Sequence, residues 1–302
     1  MSRIVLLDGG MGQELLKRSS MPPSPLWSAQ VMMDEPEIVE AVHLDYIRAG
    51  ARVLTLNTYS ATPERLARDA EEALFEPLQQ KAIGVARAAR DKSGEDVAIA
   101  GCLPPLYASY RPDVVPEYET TLATYRRIVA VEADHVDCFL CETLSSLKEI
   151  RAATTAAKES GKPVWTAMTV QDGDGLHLRS GEATEDGVAV AIEAGADAVL
   201  VNCSWPESVG EAMAVLKQGG LPFGGYANGF TGIEALQPGG TVSELKARSD
   251  LGPDQYATHV MGWVAAGATI VGGCCEVGPA HIARLAEVLA ENGHEIVGKL
   301  DG

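Results

Sequence analysis

The sequence predicts an α/β fold, a single (β/α)8 TIM barrel, on three observations. Short apolar runs rich in β-branched residues alternate with stretches of helical periodicity, and eight such strand–helix units follow one another. Alanine–glycine joints recur where a helix should stop and a strand begin, at Ala49-Gly50-Ala51, Ala194-Gly195-Ala196 and Ala266-Gly267-Ala268. No linker of different composition interrupts the alternation, so residues 1–302 read as one domain. In a barrel of this class, reactive groups gather at the carboxyl ends of the strands.

Taken in order, Ile4–Leu7 is the first predicted strand, and Asp8-Gly9-Gly10-Met11-Gly12 forms a glycine-rich loop at its end. That loop lacks the Gly-Lys-Ser/Thr ending of a phosphate loop, which argues against nucleotide binding. A Pro-rich loop, Met21–Pro25, carries Trp27, and Glu35-Pro36-Glu37 opens a helix that stops at Gly50. Arg52–Leu56 is the second strand, ending in Asn57-Thr58-Tyr59-Ser60. A long helical region from Glu64 to Arg90 is expected to break or kink at Pro77. Val97–Ala100 is the third strand, and a helix near Glu117–Glu132 leads to the fourth, Cys138–Cys141, which ends in Glu142-Thr143. After a helix over Ser146–Ser160 comes strand five, Val164–Val170, then a polar loop, Gln171–Gly181. Thr184 is placed to cap the next helix, which Gly195 stops. Ala198–Asn202 is strand six, with Cys203 at its end, and Pro206–Gln218 is helical. Phe223–Ala227 reads as a glycine-loosened strand seven, and Asn228–Gly252 as an inserted loop. Helix Asp254–Ala266, strand Gly267–Val271 and helix Pro279–Glu291 complete the eight units.

Composition narrows the function. With 24 Lys and Arg against 42 Asp and Glu, the net charge is −18 and no basic stripe appears, which argues against a nucleic-acid partner. The N-terminal apolar run is too short for a signal peptide and meets Asp8, and no run of about eighteen apolar residues suggests a membrane span. Six cysteines in such a chain point to thiol chemistry in a reducing cytoplasm rather than to disulfides. Small-molecule substrates are the expected partners, and a homo-oligomer is left open.

The chemistry concentrates in Ala268–Glu276, where the run Thr269-Ile270-Val271 meets Gly272-Gly273 and then Cys274-Cys275. Those glycines permit a sharp turn or close approach to a ligand. Cys203 ends a similar run, so three thiols can converge from two strand ends of one parallel sheet. Three thiolates and one open position form a known working zinc site. Packing cysteines or a phosphate cradle are the competing readings. Zinc coordination would deprotonate a substrate thiol whose free pKa is about 8.5, giving a nucleophile for an onium methyl group. Asp8 and Glu142, expected at the same face with Asn57, could grip an ammonium group, and the N–H of Gly9 or Gly10 a carboxylate. Tyr59, Trp27 and Trp205 are candidates for an aromatic wall around a cationic donor, Tyr59 foremost. Cys102, Cys138 and Cys141 read as packing residues and His43 as structural; the other histidines show no metal spacing.

Leu7-Asp8-Gly9-Gly10-Met11-Gly12, Cys141-Glu142-Thr143, Val201-Asn202-Cys203 and Gly272-Gly273-Cys274-Cys275 together resemble the homocysteine S-methyltransferase family over nearly the whole chain. The resemblance implies a zinc-dependent barrel that methylates homocysteine to methionine. It implies Cys203, Cys274 and Cys275 as zinc ligands, and Asp8, Gly9 and Glu142 as contacts to the amino and carboxylate groups. Pro25-Leu26-Trp27-Ser28-Ala29 and Val42-His43-Leu44-Asp45-Tyr46 look like the branch using S-methylmethionine or S-adenosylmethionine, whereas Asn57-Thr58-Tyr59-Ser60-Ala61-Thr62 departs from that branch's Ser-Tyr-Gln. The alternatives are a betaine or other onium donor, another thiol or selenol as acceptor, a zinc- or thiol-binding regulatory barrel, and a redox role for the Cys274–Cys275 pair.

Overall fold

A computed structural model describes residues 2–22, 24–26, 28–236, 238–240 and 245–300. Trp27 and part of the Asn228–Gly252 insertion lie outside the described residues.

The expected alternation is present as β1 (Arg3–Leu6), β2 (Val53–Thr55), β3 (Ala98–Leu103), β4 (Cys138–Leu144) and β5 (Val164–Met168). A two-strand excursion, β6 (Val170–Gln171) and β7 (Asp174–Leu178), precedes β8 (Ala198–Asn202), β9 (Phe223–Tyr226), β10 (Ile270–Val271) and β11 (Glu295–Val297). The large sheet is parallel throughout, in the order β11-β1-β10-β9-β8-β5-β4-β3-β2. It curls until its ends meet: Leu7 bridges Val53, Arg52 N–H donates to the Leu6 carbonyl at 2.9 Å, and Asp8 N–H to the Val53 carbonyl at 3.1 Å. The fold is a TIM-type barrel with a ninth strand beside β1.

Both faces of this sheet are buried, which is why its strands read as continuous apolar runs. Val5, Leu7, Val53, Ala98, Ala100, Cys138, Leu140, Trp165, Ala167, Ala198 and Leu200 fill the interior. The alternate positions, Ile4, Leu6, Leu54, Ile99, Phe139, Val199 and Val201, pack outward into the core shared with the helices. Period two thus divides each strand between two cores. It also sets the mouth, because Glu142 falls on the inward register of Cys138 and Leu140.

The helices are α1 (Met11–Arg18), α2 (Ser28–Asp34), α3 (Pro36–Arg48), α4 (Pro63–Asp69), α5 (Phe75–Ser93), α6 (Tyr118–Glu132), α7 (Leu147–Lys158), α8 (Thr184–Glu193), α9 (Pro206–Gln218), α10 (Pro253–Ala266) and α11 (Pro279–Glu291). Several expectations are corrected. The region from Glu64 to Arg90 is two helices, parted at Ala70 and a 3₁₀ turn, Glu72–Leu74, and not at Pro77. Pro77 sits in the first turn of α5, where a missing N–H leaves no helical bond unmade. Gln171–Gly181 contains the antiparallel hairpin β6–β7, turned at Asp172-Gly173 with Gly173 at φ +84°. Thr184 is the first helical residue rather than the cap; its hydroxyl donates to the Gly175 carbonyl at 3.0 Å. The elements α1, α2 and β11 were not anticipated.

Strand β9 is not loosened by its glycines but compressed around them. A methyl group at Gly224 would lie 1.8 Å from the Ile270 carbonyl oxygen on the neighbouring strand, which is backbone and cannot step aside. Gly224→Ala is therefore expected to lower stability by about 1–3 kcal/mol, read as a shift in the urea midpoint at unchanged slope.

Candidate active site

Four strand ends converge at the carboxyl mouth of the barrel. Asp8 follows β1, Glu142 lies within β4, Cys203 follows β8, and Gly272-Gly273 carries β10 into Cys274-Cys275. All of these except Gly272 line one cavity of about 110 Å³, joined by Asn57, Tyr59 and Tyr110. Neither Gly272 nor Gly273 has a positive φ. Their lack of a side chain serves chain-to-chain packing, since a methyl on Gly273 would lie 2.1 Å from Val277 Cγ1 and one on Gly9 2.2 Å from the Val277 carbonyl oxygen.

The structure brings the three cysteines together, with all sulfur atoms within 4.8 Å of one another. Cys203 Sγ stands 2.9 Å from Cys274 Sγ and 3.9 Å from Cys275 Sγ. Thiolates at about 2.3 Å from a tetrahedral zinc stand about 3.8 Å apart, so the donors are of the right kind and within reach of one ion. Cys203 is buried while Cys274 and Cys275 are half-buried, which leaves one side of the trio facing the cavity. Burial alone would push the Cys203 thiol up. Hydrogen bonds from Cys274, Cys275, Tyr110 and Asn228 outweigh it and hold Cys203 well below the ordinary thiol range. In exchange, Cys203 raises Cys274 and Cys275. The cluster is built to concentrate negative charge on sulfur, the condition a cation requires.

The two carboxylates are buried on the same cavity. Asp8 accepts the Thr55 N–H at 2.9 Å and the Thr55 hydroxyl at 3.2 Å. Glu142 accepts the Cys102 thiol at 3.1 Å and the Tyr226 hydroxyl at 3.2 Å. Burial pushes both carboxyl groups up to about 7; the charge of Glu142 adds to the rise at Asp8, and that of Cys203 to the rise at Glu142. Two desolvated acids facing one cavity make a receptor for a cationic group. Gly10 N–H is already bonded to the Val277 carbonyl at 2.9 Å, which leaves Gly9 of the pair once considered for a carboxylate.

Other candidates fall differently. Asn57 lines the cavity while its amide donates to the Ser28 carbonyl at 3.2 Å, tying the β2 end to α2. Tyr59 also lines it, with its hydroxyl 2.8 Å from Ser109 Oγ and the Arg65 guanidinium 5.4 Å from its ring centre. Trp205 does not line the cavity; its ring lies 5.9 Å from the Arg248 guanidinium, so its cation–π partner is within the chain. Cys138 and Cys141 are buried packing residues, whereas Cys102 supports Glu142 directly. His43 is fully buried with neither ring nitrogen hydrogen-bonded, and burial pushes it down to about 4. It is a neutral core residue.

Sequence reasoning gave no role to five contributors. Tyr110 places its hydroxyl 2.9 Å from Cys203 Sγ. Asn202 fixes Thr143, accepting its N–H at 2.8 Å and donating to its hydroxyl at 2.9 Å. Phe230, Leu236 and Leu245 bring the insertion into the cavity wall. The four non-glycine residues of positive φ among the described residues are Tyr110, Thr143, Cys203 and Glu276, all at or beside this mouth. Such strain collects where surrounding structure overrides local preference.

The comparisons agree with the fold. The family model for homocysteine S-methyltransferase matches residues 5–289. The chain is 33% identical to the homocysteine S-methyltransferase of Escherichia coli strain K12, across 93% of this chain and 94% of that one. It is 27% identical to the selenocysteine methyltransferase of Astragalus bisulcatus, across 95% and 93%. Among solved structures, the metallated form of the E. coli homocysteine methyltransferase MmuM superposes with a TM-score of 0.78 at 31% identity, covering 94% of this chain and 96% of that chain. A match that runs from the first barrel strand into the last helix, with kinship over nearly the full length of both chains, makes this chain a member of the homocysteine S-methyltransferase family of enzymes.

Proposed function

We propose that this enzyme, as one barrel domain over residues 1–302, transfers a methyl group to the thiol of L-homocysteine to give methionine, with zinc held by Cys203, Cys274 and Cys275. The observation that carries the reading is one cavity lined by three clustered sulfur donors and two buried carboxylates. Held by the three cysteines, zinc would supply the Lewis acidity that favours the thiolate form of a thiol substrate at neutral pH. Asp8 and Glu142 take the substrate ammonium group, and the Gly9 N–H its carboxylate. Asn57 and Tyr59 shape the remaining wall, on the donor side. In the transfer, the substrate sulfur, its proton already lost, uses a lone pair to bond the methyl carbon. The carbon's bond to the donor's onium atom breaks, and that pair stays on the leaving molecule as it becomes neutral.

The donor we assign is a sulfonium, S-methylmethionine or S-adenosylmethionine, as the motifs at residues 25–29 and 42–46 suggest, with betaine or another onium compound as the alternative. A second acceptor reading is a selenol, favoured by the kinship with the Astragalus selenocysteine methyltransferase. Among the described residues no helix is long and apolar enough to cross a membrane. We assign the enzyme to the cytoplasm, whose reducing poise would keep the close sulfurs of Cys203 and Cys274 as thiols.

The test is methionine formation from homocysteine by reduced, zinc-loaded protein offered S-methylmethionine, S-adenosylmethionine, glycine betaine, a dimethylsulfonium compound or a methylfolate. Turnover with one sulfonium is the expected result. Silence across the panel, with selenocysteine methylated instead, would transfer the assignment to the selenol.

A further inference from the structure

The geometry points to Tyr110 as a positioning residue for the thiol cluster, its hydroxyl donating to Cys203 Sγ and fixing that sulfur's orientation and charge. This rests on the reading of the trio as a metal site. A metal-bound thiolate carries no proton, so in the 2.9 Å contact the hydrogen belongs to the phenol. Both partners are held with the backbone in the left-handed region, Tyr110 at φ +62° and Cys203 at φ +50°. Neither would rest there on local preference, so the surrounding structure sets their meeting.

The hairpin supplies that support. Arg179, just beyond β7, lies with its guanidinium 5.3 Å from the centre of the Tyr110 ring. It forms a two-pronged pair with Asp172 at 3.0 and 3.1 Å, and both side chains are largely buried. Asp172 also accepts the Trp205 N–H at 3.0 Å, immediately after the Cys203 turn. Arg179 Nε reaches Thr169 Oγ1 at 3.4 Å, and that hydroxyl reaches the Cys203 carbonyl at 3.3 Å. One buried ion pair therefore steadies the phenol from one side and the Cys203 segment from the other. The hairpin, a sheet separate from that of the barrel, gains a role as the brace of one ligand.

A hydrogen bond to a ligand sulfur draws charge from it and weakens its donation to the metal. Cobalt(II) in the full-length protein makes this visible, because the sulfur-to-cobalt charge-transfer band reports the energy of the sulfur lone pairs. Tyr110→Phe is expected to move that band to longer wavelength and to change cobalt affinity, measured against a chromophoric chelator, by roughly 10–100-fold. If Tyr110→Phe does not fold, 3-fluorotyrosine in place of Tyr110, a stronger donor of nearly equal size, is expected to move the band the opposite way. Cobalt-loaded wild type and folded variants with the same band and affinity would overturn the inference alone. Wild type that takes up no cobalt would remove the metal reading and this inference with it.

Discussion

Replacing Cys274 with serine is expected to take bound zinc from about one per chain to near none and to slow methyl transfer roughly 10³-fold, the several kcal/mol that metal activation supplies. Serine is close to cysteine in size, and Cys274 is only half-buried, so the barrel should survive the exchange. What disappears is a donor that can be deprotonated near neutral pH. Its neighbours are raised and lowered together through mutual hydrogen bonds, so removing one sulfur disturbs the charge distribution of all three. Cys141→Ala provides the control: this buried thiol lies in the core between barrel and helices and should leave zinc content intact. Elemental analysis together with turnover decides the matter. Unchanged zinc and unchanged rate in Cys274→Ser would remove the trio from the chemistry.

The second large effect is expected at the carboxylates. Asp8→Asn should lower kcat/KM for homocysteine by roughly 10–100-fold, mostly through KM, as a charge-assisted hydrogen bond to the ammonium group is lost. The asparagine oxygen can still accept the Thr55 N–H, so the local structure has reason to persist. Glu142→Gln should do at least as much harm, because Cys102 and Tyr226 both donate to Glu142 and a glutamine offers one oxygen for the two. The pH dependence follows from the same burial. Both carboxyl groups are raised to about 7 in the free enzyme, so at pH 6 the pair is mostly protonated and cannot hold a cation. Raising the pH ionises it, so kcat/KM should climb between pH 6 and 8. The two groups interact, and the midpoint belongs to the pair. Substrate thiol ionisation climbs over part of the same range, so 4-mercaptobutanoate, which lacks the amino group, supplies the comparison. Its profile should be flatter than that of homocysteine, and Asp8→Asn should flatten the homocysteine profile as well. Equal profiles for the two thiols would detach the carboxylates from ammonium binding.

How legible this was depended on what kind of signal each residue sent. Cys203, Cys274, Asp8 and Glu142 stand at the ends of apolar strands, and strand periodicity with the barrel rule places them at one mouth. The strand β8 and the helices α9 and α11 run over the expected bounds because proline opens each helix and an unbroken apolar run, residues 198–201, marks the strand. Tyr110 sent no such signal. It lies in an aperiodic loop after β3, and its contact with Cys203 exists only because the fold forces both residues into a backbone conformation that sequence preference disfavours. Cys102 was readable as a small buried residue but not as a donor to Glu142, since neighbouring strands settle that pairing. The hairpin carried a turn signal at Asp172-Gly173, yet its strands are too short and polar to stand out from a loop. Strand β11, three partly exposed residues, gains its partner only after β1 is in place.

The placement of β1 also governs when the site can come into being. This strand lies between β10 and β11, besides closing on β2, so an early stretch of the barrel finds two of its neighbours among the latest. Through most of synthesis Asp8 has no fixed relation to Cys274, and Cys203 is made well before Cys274 and Cys275, the two thiols it meets in the fold. The three-sulfur cluster is thus complete only when the final turns of the barrel are made. On the proposed reading, a metal ion would therefore meet a finished cavity, whose shape and carboxylates already stand.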